Sequence, residues 1–170
     1  MAKLEIVDDC LAPERHIWLA YSGPNPWSVA EKISKSLEPL LHISGANTGN
    51  SRLNWDALGD YYSFYAIWWA RKKFSKYSEM WVDIRIVGKE HKTTKEGEFT
   101  LRVRAELKTE FETFNIILKP LWYLYSYIFY DRARRRFIEQ CRELIHTFRN
   151  EIKEHYDLQI TEAPISVAMG

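Results

Sequence analysis

Two stretches decide the fold: VDIRI at residues 82–86 and FTLRVRAELKTEF at residues 99–111. In the first, Val82, Ile84 and Ile86 alternate with Asp83 and Arg85. In the second, Phe99, Leu101, Val103, Ala105, Leu107, Thr109 and Phe111 alternate with Thr100, Arg102, Arg104, Glu106, Lys108 and Glu110. Successive side chains of a strand point to opposite faces. Period two with one apolar phase therefore means two half-buried antiparallel strands. TKEG at residues 94–97 reads as the loop between them, with Gly97 suited to a left-handed backbone. Charge suggests a register. Pairing Thr93 with Glu98 sets Arg85 opposite Glu106 and Asp83 opposite Lys108. A slip of two sets Arg85 opposite Arg104 and Asp83 opposite Glu106, which pairs like charges. The Thr93–Glu98 pairing is the one expected.

Upstream, residues 60–74 carry Tyr61, Tyr62, Phe64, Tyr65, Ile67, Trp68 and Trp69 almost without a break. A buried helix and a buried strand share that pattern, and ring enrichment favours the strand. HIWLAY at residues 16–21 reads as a strand ended by the turn SGPNP. Asn25 is placed to cap a helix and Pro26 to occupy its first position. Trp27, Ala30, Ile33, Leu37, Leu40 and Leu41 then recur at three- and four-residue steps, with Pro39 disturbing the last turn. SGANTGN at residues 44–50 reads as a polar loop. In all, about five strands are expected.

Downstream, Pro120 is a plausible first helical residue, and residues 121–156 contain neither Gly nor Pro. Phe137, Cys141, Leu144, Ile145, Phe148 and Ile152 form one apolar stripe. Arg135, Glu139, Arg142, Glu143, Arg149 and Lys153 lie mostly opposite. The pattern predicts a single α+β domain over residues 1–157, a curved antiparallel sheet packed on a long C-terminal helix. Residues 158–170 read as a flexible tail.

Composition narrows the function classes. The 170 residues carry 24 Lys+Arg and 23 Asp+Glu, a formal charge of +1. Neither half is basic enough to meet a nucleic-acid backbone, so no nucleic-acid partner is expected. The excess is aromatic, with 8 Phe, 7 Trp and 10 Tyr, which excludes disordered and low-complexity classes. Cys10 and Cys141 do not read as a disulfide framework, and Cys141 reads as a buried inert thiol. The first residues are too charged for a signal peptide, so a reducing cytoplasm is the expected compartment.

No motif for catalysis or for a cofactor stands out. Glu143 and His146 make one Glu-x-x-His unit, where a carboxylate-bridged metal site needs two and further glutamates, so no metal is expected. His16, His42, His91, His146 and His155 are scattered. Asp8 and Asp9 are adjacent and point apart on a strand. GANTGNS at residues 45–51 lacks the lysine of a phosphate loop.

Residues 114–130, FNIILKPLWYLYSYIFY, are followed at once by Asp131, Arg132, Arg134, Arg135 and Arg136. The reading adopted is that this half of the helix covers the sheet. Tyrosines and Trp beside arginines also suit a surface that lies flat on an anionic bilayer or meets a partner. A true span would need a longer, cleaner apolar run.

This order of elements resembles the helix-grip fold of START-like proteins: strand, short helices, a run of antiparallel strands, one long C-terminal helix. The resemblance covers most of the chain and implies a cavity between sheet and helix that takes lipids or other hydrophobic molecules. It carries no fixed catalytic residues. A non-catalytic binder of a hydrophobic small molecule or lipid is the expected function, with Trp68, Trp69, Trp81, Trp122 and Tyr125 as ring-lined pocket positions. The alternatives are a membrane-peripheral or protein-interaction module using residues 114–136, with Arg132, Arg134, Arg135 and Arg136 as its surface, and an enzyme of the same fold. No oligomeric state follows from the sequence.

Overall fold

The longest alternating run becomes the spine of the sheet. The computed structural model describes residues 2–113, 119–157 and 161–162, with a few side chains, that of Trp122 among them, outside that description. The elements run β1 (Ala2–Asp9), β2 (Ile17–Pro24), α1 (Ser28–Leu41), β3 (Thr48–Asp56), β4 (Tyr61–Lys73), β5 (Ser78–His91) and β6 (Glu96–Thr113). A continuous helical rod follows: α2 (Lys119–Tyr125), a π-helical turn (Ser126–Tyr130) and α3 (Asp131–His155). β7 (Thr161–Glu162) closes the order. The sheet is antiparallel, ordered β3-β4-β5-β6-β2-β7. At 18 residues, β6 is long enough to carry two neighbours on one edge. β2 pairs with residues 96–103 and β1 with residues 106–113.

The α+β architecture and the grip of the C-terminal helix are as the sequence pattern predicts. Within residues 60–74, Tyr61–Lys73 form a strand. Val82, Ile84, Ile86, Leu101, Val103, Ala105 and Leu107 point to one face and are fully or almost fully buried there. Cys141, Ile145, Phe148 and Ile152 of α3 close over them, with Ile33, Leu37 and Leu41 of α1 beside. α1 and α3 are tied by the Lys32–Glu151 ion pair at 3.2 Å and by Ser28 at the end of α3.

The register differs from the one expected. Arg85 stands opposite Arg102, Asp83 opposite Arg104 and Lys89 opposite Glu98. Two features outweigh the charge pattern. A Cβ on Gly97 would lie 2.0 Å from the Lys89 carbonyl oxygen, so this close approach admits only glycine. The His91 ring accepts the amides of Thr93 and Thr94 at 3.2 Å each, which shapes the turn. The facing Arg85 and Arg102 are tolerated because both reach Asp83, at 3.0 and 3.4 Å. The left-handed residue of the turn is Lys95, with φ 59°, rather than Gly97.

Four further expectations are corrected. α1 begins at Ser28, not at Pro26, and Asn25 contributes its carbonyl rather than a side-chain cap. Residues 44–50 are not wholly loop: a 3-10 turn at Gly45–Asn47 leads directly into β3. β3 escaped notice because it is an exposed edge strand and shows no apolar alternation, so the sheet exceeds five strands. Cys10 and Cys141 are not separate thiols; they form a disulfide, Cα–Cα 5.9 Å, between the end of β1 and α3. The Arg142 guanidinium reinforces that join by donating to the Cys10 and Ala12 carbonyls at 3.1 and 3.3 Å.

The last correction concerns the start of the helical rod. Leu121, Tyr123, Leu124, Tyr125, Tyr127 and Ile128 are all exposed, so these side chains do not cover the sheet. Residues 114–118 of that stretch lie outside the described residues. Among the described residues no helix is long and apolar enough to cross a membrane. Most of residues 158–170, expected as a tail, also lie outside the description; Thr161 and Glu162 pair with Ala20 and Leu19 of β2.

Candidate functional site

The five expected pocket residues do not converge. Trp68 lies on the helix-facing side, 4 % exposed, with its indole Nε1–H donating to Ser34 Oγ at 3.2 Å. Trp69 and Trp81 alternate out of the core and stand half-buried on the opposite face. There the Lys108 ammonium lies 4.7 Å and the Arg71 guanidinium 5.6 Å from the Trp81 ring. Tyr125 is on the exposed helix, and the Trp122 side chain lies outside the described residues.

Two openings are walled in part by β3 and β4. A crevice of about 270 Å³ lies between α1 and the strands β3 and β4, walled by Trp27, Trp68, Leu53 and Ala30. It is apolar because the edge strand β3 runs past the cover that α1 provides. A broader groove of about 890 Å³ lies on the face away from the helices. Its outward side chains include Ala20, Ser22, Ser63, Tyr65, Val87 and Thr100, positions that alternate with the core. The sequence could not show either opening: the crevice depends on how far α1 reaches over the sheet, and the groove on which small side chains lie side by side on the other face.

The strongest departure from an ordinary soluble surface is the helix formed by α2 and the π-helical turn. Its backbone stays helical at Tyr125, Tyr130 and Asp131, so these 12 residues extend α3 at its N-terminal end as one rod, called the arm below. The arm is held at its base by Tyr130. The Tyr130 hydroxyl lies 2.7 Å from Ser75 Oγ and 2.9 Å from Ser78 Oγ, and Ser78 in turn meets Thr109 at 3.0 Å. The Tyr130 ring meets Phe111 edge-on at 5.3 Å, and two turns further on Phe74 stacks on Phe137 at 5.3 Å. A π-helical turn inserts an extra residue into the helix, and here Tyr130 reaches the strands while Tyr127 and Ile128 stay exposed.

Of the four arginines, Arg132, Arg135 and Arg136 are exposed beside the arm. Arg134 is turned inward, to Asp131 at 3.0 Å and Asp8 at 3.5 Å. Asp131 also takes Arg135 at 2.8 Å, so it partly offsets the basic cluster.

The histidines do not assemble an acid–base site. His155 Nε2 lies 3.2 Å from Ser28 Oγ, a serine–histidine contact that sequence reading did not find. Ser28 Oγ is also bonded to the Tyr156 hydroxyl at 2.9 Å, and that phenol reaches the Asn25 and Pro26 carbonyls at 3.3 and 3.2 Å. The group fastens the start of α1 to the end of α3 and opens into no described cavity. Burial pushes the Tyr156 phenol up to about 12. Burial first, then Arg102 and Arg104, lowers the pKa of His16. Among the described residues no three His, Cys, Asp or Glu side chains gather as a metal site.

Comparisons of the chain with protein-family models, with curated proteins and with solved structures gave no match.

Proposed function

We propose that this protein is a membrane-peripheral domain that docks on an anionic bilayer through the α2 arm. One observation carries the reading: six large apolar or aromatic side chains stand exposed on 12 residues of helix, immediately ahead of exposed Arg132, Arg135 and Arg136. A monomer rarely leaves such a patch in water. Tyrosine rings suit the headgroup level, leucine and isoleucine the acyl boundary, and arginines the anionic surface.

The magnitudes are adequate. Full burial of a Leu or Ile is worth roughly 1.5–3 kcal/mol. Leu121, Leu124 and Ile128 are 63, 60 and 58 % exposed, so their insertion recovers a good part of that. Each arginine near an anionic surface adds about 1 kcal/mol. Cosedimentation with vesicles containing phosphatidylglycerol tests the reading. Wild type pellets with the vesicles, less so as salt shortens the screening length. Replacing Leu121, Leu124 and Ile128 by Ala weakens binding by about 100-fold, since each 1.4 kcal/mol is tenfold. Unchanged binding of that variant overturns the reading.

A second reading keeps the hydrophobic-ligand function expected from the START-like resemblance. The apolar crevice under α1 supports it and moves the site from α3 to α1 and β3. Addition of a fatty acid then shifts Trp emission in wild type, and a Leu53→Arg change at the crevice wall removes the shift.

Anionic lipid favours the cytoplasmic leaflet. The Cys10–Cys141 bridge fits an oxidising compartment better. Both sulfurs belong to residues with no exposed surface, which denies cytosolic thiols the access that exchange needs. The cytoplasmic location is kept as a proposal on that ground.

A further inference from the structure

At the end of the sheet where the arm begins, on the face away from the helices, lies a small pocket of about 220 Å³, formed by the β4–β5 turn and the adjoining part of β6. Lys73, Lys76 and Lys108 contribute to its wall. Glu79 and Glu110 do as well, which leaves the lining one positive charge in excess. Glu79 is shared with Arg71 at 3.9 Å, and that guanidinium adds a further cation beside the pocket. Ser75 and Ser78 form the remaining polar wall, and both are bonded to Tyr130. The pocket and the arm are thus joined through a single hydroxyl. Lys73 and Lys76 are exposed, Lys108 lies over the Trp81 ring and Lys76 over the Tyr77 ring at 5.6 Å.

We propose that this pocket binds a phosphomonoester, and that in the docked protein the phosphomonoester is the headgroup of a lipid lying beside the arm. The proposal rests on the membrane reading for the source of the phosphate, not for the chemistry of the pocket. A lysine ammonium is a compact point charge, so what it distinguishes is charge density. A phosphomonoester carries about −1.5 to −2 near pH 7, against −1 for a phosphodiester. Three lysines on one small concavity respond to that difference, whereas arginines spread along an exposed helix respond mainly to the mean surface charge. The serine hydroxyls are engaged with Tyr130 and with turn amides, so they shape the pocket and the lysines hold the anion.

The test compares vesicles containing phosphatidic acid with vesicles containing phosphatidylglycerol, adjusted to equal surface potential. Wild type binds the phosphatidic acid vesicles about tenfold more tightly. Lys73→Gln, Lys76→Gln and Lys108→Gln together weaken binding to both vesicles, as loss of three cations near an anionic surface requires, and bring that ratio to about one. Equal binding of wild type to both vesicles, or a ratio that survives in the lysine variant, overturns the proposal while the arm reading stands. If the arm variant binds both vesicles as wild type does, the arm reading fails instead. Calorimetric titration with glycerol 3-phosphate then decides the pocket: saturable binding that the lysine variant loses supports a soluble phosphomonoester, and no binding overturns the site. The thermal midpoints of the variants, which alter exposed or half-exposed side chains, check that the fold is intact.

Discussion

Replacing Cys10 and Cys141 by serine removes the one covalent link between the β1 end and α3. The two residues are 131 apart in sequence, so the bond closes most of the chain into a loop. In the chain-entropy account, a loop of that size restricts the unfolded state by about 5 kcal/mol, and measured effects of disulfides fall at about 2–5 kcal/mol. Arg142 remains, still holding the Cys10 and Ala12 carbonyls, so the local geometry is not lost with the bond. Urea unfolding of the oxidised wild type and of the double serine variant measures the effect. With a slope of about 1–3 kcal/mol per molar urea, a loss of about 4 kcal/mol lowers the midpoint by roughly 1.3–4 M. Reduced wild type unfolds at the midpoint of the variant. Alkylation of denatured, unreduced wild type labels neither cysteine. Labelling of both, or coincident midpoints for the oxidised protein and the variant, refutes the bridge and the stabilisation reasoned from it.

Two other predictions concern side chains rather than the chain trace. Burial raises the Tyr156 pKa to about 12, above the ordinary 10, so the neutral phenol is the form the fold favours. The stability this gives is fully present below pH 10 and is lost as pH rises through 12, on the order of 2–3 kcal/mol in all. Thermal midpoints between pH 9 and 12.5 fall more steeply in wild type than in Tyr156→Phe, and parallel profiles contradict the assignment. At the arm's base, Tyr130→Phe removes the hydroxyl shared by Ser75 and Ser78. The domain loses about 1 kcal/mol, and amide exchange quickens in α2 while α3 keeps its protection; unchanged exchange in α2 shows that the hydroxyl does not hold the arm.

The sequence reveals what depends on periodicity and little that depends on neighbours. The period-two run of β6 and the stripe of α3 were legible because burial of one face imposes them directly. β3 was not, because an edge strand has no buried face to mark it. The hairpin register failed for a different reason. Cross-strand charge pairs are each worth a fraction of a kcal/mol, whereas the contact of Gly97 with the Lys89 carbonyl is a steric exclusion. A sum of weak preferences lost to one hard constraint. The disulfide was illegible because 131 residues separate its cysteines and only the crossing of β1 by α3 brings them together. The composition of residues 114–130 is that of a core segment. Nothing in that composition reports that the strands are reached at Tyr130 while Tyr127 and Ile128 stay exposed.

The placement of Tyr130 also decides how the molecule would sit on a bilayer. Tyr130, the β4–β5 turn and the lysine pocket share one end of the sheet, where β5 begins at Ser78. The broad groove is built around Val87 and Lys89, near the other end of β5. Nine to eleven strand residues at about 3.3 Å each separate the two ends by roughly 30–35 Å. That distance is several times the screening length at physiological salt. A ligand in the groove is then neither touched by the bilayer nor felt by its charge, and groove substitutions such as Val87→Ala should leave vesicle binding unchanged. Sites so far apart with no shared partner contribute additively. The arm and the lysine pocket, by contrast, meet where Tyr130 bonds Ser75 and Ser78, and their effects on binding should not add. The anatomy therefore divides the surface into a coupled membrane-facing end and an independent solvent-facing groove, and a double-mutant cycle across Tyr130 measures the coupling directly.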